Sequence, residues 1–81
     1  MEQQRQSQRR RIIARAEIIT ASGEVSLVAS IFDISDTGMK IGTPVDYRFP
    51  EPFSVRIVGS SDQRSADLVW QQPGLAGLRF N

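Results

Sequence analysis

The 81-residue chain contains neither cysteine nor histidine, which excludes disulfide frameworks, thiolate or imidazole metal sites, cysteine nucleophiles and Ser-His-Asp catalysis. It is long enough for one small domain with a thin core, and its hydrophobic content of 40% is that of an ordinary globular chain. Net charge is only +1 but unevenly spread: residues 1–15 carry five arginines against Glu2, a net +4, while residues 16–81 carry five cations against eight anions, a net −3. A basic arm on a mildly acidic body points to a localised anionic ligand or a tail that folds back, not to the broad basic face of a nucleic-acid binder.

Taken in order, residues 1–8 are polar and low in complexity and read as a flexible tail. Residues 9–15 form an arginine arm. From Ala14 to Thr20 the pattern becomes strand-like, with β-branched Ile18 and Ile19, and Ala21-Ser22-Gly23 signals a turn. Residues 24–34 alternate strictly, with Val25, Leu27, Ala29 and Ile31 on one face and Ser26 and Ser30 on the other, which predicts the clearest strand of the chain. A short strand is expected over residues 39–42, paired as a hairpin with what precedes it. Pro44, Pro50 and Pro52 mark residues 43–52 as a loop. Residues 53–58 alternate again, and residues 59–63 are a loop. Residues 65–71 predict a strand with Ala66, Leu68 and Trp70 on one face; Gln72-Pro73-Gly74 is a turn, and residues 75–80 close the chain as a last strand. Six short strands at even spacing predict an all-β fold, a small antiparallel barrel. No apolar run approaches the roughly 20 residues of a membrane helix, and the N-terminus has no apolar signal core, so a cytoplasmic protein is expected.

Two stretches carry candidate chemistry. One is Arg11-Ile12-Ile13-Ala14-Arg15, two guanidiniums four residues apart, with Arg9 and Arg10 just before. The other is Asp33-x-Ser35-x-x-Gly38. Asp33 and Ser35 are two apart, so on a strand they face the same way. Gly38 reads as the residue that gives a tight turn its positive φ. Each feature also has a plain structural reading. The arginines can be a solvated basic run, and Asp33 and Ser35 can make only local turn hydrogen bonds. Trp70 reads as core or rim packing, and Lys40 and Arg79 as outward strand residues that flank the site. With no histidine or cysteine and Lys40 the only lysine, no nucleophile–base pair emerges, and an enzyme is not expected.

In this order, within a small all-β chain, the two motifs resemble the PilZ domain family, bacterial receptors for cyclic di-GMP. Val69-Trp70 and Gly77-Leu78-Arg79-Phe80 resemble the family's late strands, and the resemblance covers about residues 9–80. It implies a six-stranded split-barrel-type domain over residues 9–81, with the flexible arm at 9–15. The helix that members commonly carry after the last strand has no residues left to form it. The resemblance further implies Arg11, Arg15, Asp33, Ser35 and Gly38 as ligand-binding residues, with Arg10 and Arg9 as secondary candidates.

The chemistry suits that ligand. An arginine fork matches a phosphate or the O6/N7 edge of guanine, and a carboxylate suits the N1–H and N2–H donors of the opposite edge. If extended, Arg11 and Arg15 lie about 13 Å apart at roughly 3.3 Å per residue, a span suited to a two-guanine ligand. The expected function is a regulatory module that orders its arm on the barrel when cyclic di-GMP binds and so alters a downstream protein partner, with no cofactor and no metal. A homodimer is a further expectation, the uncapped barrel end being met by a partner or a second copy. The alternatives are a ligand-free interaction module and a small nucleic-acid-binding barrel.

Overall fold

The computed structural model describes residues 14–81, and there the alternating stretches form six strands, with no helix among the described residues. They are β1 (Arg15–Thr20), β2 (Val25–Ile34), β3 (Gly38–Gly42), β4 (Phe53–Ile57), β5 (Gln63–Gln72) and β6 (Leu75–Phe80). All pairings are antiparallel, and the strands close into a barrel in the order β1-β2-β3-β6-β5-β4, with β4 returning to β1. Closure removes the free edges that an open sheet this thin would expose. The expected six-stranded antiparallel barrel is therefore what the chain forms. Gly23, Gly59 and Gly74 take positive φ in the turns after β1, β4 and β5.

Period two directs the core. Ala16 and Ile18 from β1, Ala29 from β2, Met39 and Ile41 from β3, Phe53 and Val55 from β4, Ala66 from β5, and Ala76 and Leu78 from β6 pack together inside the barrel. On the outer face, Glu17 of β1 opposes Arg56 of β4 in register and accepts its guanidinium at 2.7–2.8 Å, a cross-strand pair of the kind worth roughly 0.2–1 kcal/mol.

The register is not uniform, and this is where the chain departs from strict alternation. Ile18 opposes Leu27 but Ile19 opposes Val25, so Val25, 46% exposed, does not share the face of Leu27, Ala29 and Ile31 as expected. Ile31 opposes Ile41 but Asp33 opposes Lys40, which makes Phe32 the surplus residue of a bulge, its ring against Gly42. Leu68 opposes Leu78 but Trp70 opposes Gly77, with Val69 surplus. Each bulge moves the following side chains to the other face. Trp70 thus does not share a face with Ala66 and Leu68, as simple alternation predicts; it points outward.

Element ends also shift. Arg15, expected as the last residue of an arm, is the first residue of β1, in register with Ser30. β5 starts at Gln63, inside the expected loop.

The two barrel ends differ. The loop between β3 and β4 covers one: Phe49 sits edge-on to Tyr47 with ring centroids 4.9 Å apart, and 5.2 Å from Phe53. Tyr47 is tied down by its hydroxyl at 2.7 Å from Ser26 and by its carbonyl, which accepts from the Gln71 side chain at 2.8 Å. The start of β1, the β2–β3 turn and the end of β6 gather at the opposite end. Next to the covering loop, the buried hydroxyl of Thr43 finds no partner among the described residues. Replacing it with the isosteric Thr43→Val is expected to stabilise the barrel by about 1 kcal/mol, a rise in melting temperature of about 4–8 °C for a domain of this size, measurable by thermal unfolding followed by circular dichroism.

Candidate ligand-binding site

The β2–β3 connection is short and organised by its own polar groups. Ser35 N–H donates to the Gly38 carbonyl at 2.9 Å. Ser35 Oγ accepts from Thr37 N–H at 3.3 Å and lies 3.2 Å from Thr37 Oγ1, a serine-type turn that fixes the hydroxyl at the surface. The Thr37 carbonyl accepts from Phe80 N–H at 2.8 Å, anchoring the turn to the end of β6. Asp36 sits exposed at the tip.

Gly38 has a different role from the one expected. It is the first residue of β3 and does not take positive φ. A Cβ at this position would instead run into the carbonyl oxygen of Leu78 on β6. Glycine is needed for close approach of two paired backbones, not for turn freedom.

The Phe32 bulge turns Asp33 to the outer face, where its carboxylate is exposed. Bulges commonly re-aim a side chain in this way beside a binding site. Asp33, Ser35, Thr37 and Gly38 form one wall of an open cavity of about 340 Å³. Trp70, Gly77 and Arg79 form the facing wall. Strand register explains the grouping: Asp33, Lys40, Gly77 and Trp70 lie in one row across β2, β3, β6 and β5, and Gly38 and Arg79 are partners two rows along, on the same face. Trp70 is settled over Gly77, where its indole occupies the space a Cβ would take.

The structure therefore brings Asp33, Ser35 and Gly38 together. Arg15 is exposed on the outer face of β1 beside Ser30, three residues before Asp33, and is not part of the cavity wall. Arg9, Arg10 and Arg11 lie outside the described residues. Trp70, expected as core or rim packing, and Arg79, expected as an outward strand residue flanking the site, both line the cavity. No signal in the sequence marks the turning of Trp70, because the surplus residue Val69 is set by the pairing with β6.

A second cavity of about 220 Å³ opens at the uncovered barrel end, with Met39, Val55, Ile57 and Phe80 inside and Asp36 and Asp62 at its rim. It shares Ile34, Ser35 and Met39 with the first. The Arg64 guanidinium lies 4.3 Å from the Phe80 ring centroid there, a cation–π contact. Among the described residues no cluster of three or more acidic side chains could hold a metal ion, and no helix is long and apolar enough to cross a membrane.

A family model for the PilZ domain matches residues 3–81, nearly the whole chain. The chain belongs to the PilZ domain family. No curated protein and no solved structure gave a match. In this PilZ domain the Asp33-x-Ser35-x-x-Gly38 motif occupies the β2–β3 hairpin and one wall of the larger cavity. PilZ domains are ligand-binding regulatory modules rather than enzymes.

Because the Gly38 position faces backbone and not a flexible side chain, Gly38→Ala is expected to destabilise the domain by about 1–3 kcal/mol, as overpacking does. Urea denaturation of both proteins reads this directly, and an unchanged midpoint would refute the close-approach account of Gly38.

Proposed function

We propose that this PilZ domain is a cytoplasmic receptor module for cyclic di-GMP. The observation that carries the reading is the shared placement of Asp33, Ser35 and Gly38 on one wall of an outward cavity, with Arg15 exposed on the same outer side one strand away. Asp33 would accept from the N1–H and N2–H donors of a guanine. Ser35, already oriented by Thr37, adds a hydroxyl beside it, and Gly38 lets the turn lie close to β6. Arg15 supplies a two-pronged donor for a phosphate or the O6/N7 edge of guanine. Arg11 precedes it by four residues, so in an extended chain it shares the face of Arg15. Arg10 and Arg9 are secondary contacts.

Binding would order the arm against the barrel through charge-assisted hydrogen bonds, a known switching device. A downstream protein, or a second copy of the chain, would read the changed surface. The module needs no cofactor and carries out no chemistry.

Isothermal titration with cyclic di-GMP tests this. Wild type is expected to bind at micromolar or tighter affinity. Arg15→Ala and Asp33→Ala each remove a charged hydrogen-bond partner, worth about 1.5–3 kcal/mol, and should weaken binding by roughly 10- to 150-fold. No heat at high protein concentration would sink the proposal. Salt-dependent binding to any single-stranded oligonucleotide would replace it with a nucleic-acid reading.

A further inference from the structure

Past Ser30, β2 runs on to Ile34 with β3 along one side only. On its other side Arg15 stands opposite Ser30, and the Ile31 N–H donates to the Ala14 carbonyl at 2.9 Å. Beyond that point no strand faces β2 among the described residues. The cavity of about 220 Å³ opens at this same barrel end. The geometry points to Ile12 as its occupant: the residues before Ala14 continue β1 along the open edge of β2, and Ile12 caps the barrel from within its own chain.

Strand phase comes first. Ile18 and Ala16 point into the barrel, while Glu17 and Arg15 point out. No register shift falls between Arg15 and Ile18, so alternation carried back puts Ala14 and Ile12 inward and Ile13 and Arg11 outward. The Phe32 bulge sets two residues of β2 against one of a partner strand. Counted from the contact of Ala14 with Ile31, Ile13 meets Phe32 and Asp33, and Ile12 meets Ile34. All of these pairs share a face. Ile12 then extends an inner row that already runs Ile34, Met39, Leu78 and Leu68 across four strands.

The row needs such a neighbour. Ile34 is the partner of Met39 and shares its inward face, yet Ile34 is 45% exposed where Met39 is 5% exposed. An aliphatic cover over Ile34 and the cavity removes apolar surface from water. Charge agrees with the assignment. Asp36 and Asp62 stand at the cavity mouth, and the guanidinium in its lining, Arg64, is already held over the Phe80 ring. The sequence before Ile12 is Arg9-Arg10-Arg11, and Arg10 shares the side of Ile12 by the same alternation. An isoleucine preceded by arginines complements an apolar cavity with an acidic mouth. Attachment favours this segment over any free partner. One residue separates Ile12 from Ala14, so its effective concentration at the cavity is of the mM order typical of short links, or above it.

The cap does not rest on the receptor reading. It forms without ligand, and it leaves Arg11 on the outer face with Arg15.

Nuclear magnetic resonance of the full chain, free of nucleotide and labelled on isoleucine and methionine methyl groups, tests it. Nuclear Overhauser contacts are expected from the Ile12 δ1 methyl to the methyls of Ile34 and Met39, and none from Ile13 to either. Ile12→Ala should lower the melting temperature by at least roughly 4–8 °C, as the loss of a buried aliphatic group does in a domain this small. Ile13→Ala, on the outer face, should leave it within about 2 °C. No contact from Ile12 to Ile34 or Met39 would overturn the cap, as would equal losses in the two variants. In a mixture of labelled and unlabelled chains, contacts that arise only between different chains would hand the cavity to a second copy and overturn the intrachain cap. Because no cyclic di-GMP is present, each of these failures leaves the receptor reading untouched, and an absence of binding heat leaves the cap untouched.

Discussion

A closed six-stranded barrel has no free edge at which a surplus residue can be shed. A residue inserted into one strand must be absorbed as a bulge, and every side chain beyond it changes face. Two of the three register shifts in this domain flank one cavity. The Phe32 bulge in β2 puts Asp33 outside the barrel, and the Val69 bulge in β5 does the same for Trp70. Without them, a carboxylate and an indole would compete for a core already filled by Ile41, Met39 and Leu78. Burying the carboxylate unpaired would be costly. The bulges thus solve a packing conflict and leave Asp33 and Trp70 lining one outward cavity.

Glycine makes that face close-knit. Gly38 lets β3 approach the Leu78 carbonyl, and Gly77 receives the indole of Trp70. The two glycines sit on neighbouring paired strands and both line the cavity. The turn beside it is set in advance, since Ser35 Oγ accepts from Thr37 N–H and the Thr37 carbonyl accepts from Phe80 N–H.

The barrel ends divide the remaining tasks. Tyr47, Phe49 and Phe53 stack at one end, where Phe53 belongs to the core and Phe49 packs against it. The other end is where β1 begins and where the candidate site lies. Arg15, the first residue of β1, therefore stands at the same barrel end as the cavity.

How much of this was legible beforehand follows from what period two can and cannot say. Alternation in residues 24–34 and 53–58, with glycine and proline between the runs, was enough for six antiparallel strands and a barrel, because side-chain direction on a strand is local. Asp33, Ser35 and Gly38 stood out through the motif's resemblance to the family, and the family match bears out that resemblance. The role of Gly38 was not legible: close approach to Leu78 depends on a strand forty residues away. Nor were the outward turns of Asp33 and Trp70, since a bulge is a property of a pair of strands and leaves no mark in either one read singly. The amino-acid sequence by itself determined the strands and the motif that forms one wall of the cavity. Tertiary structure alone decided the other wall, because only barrel closure sets which residue of β5 and β6 stands opposite the Asp33 turn.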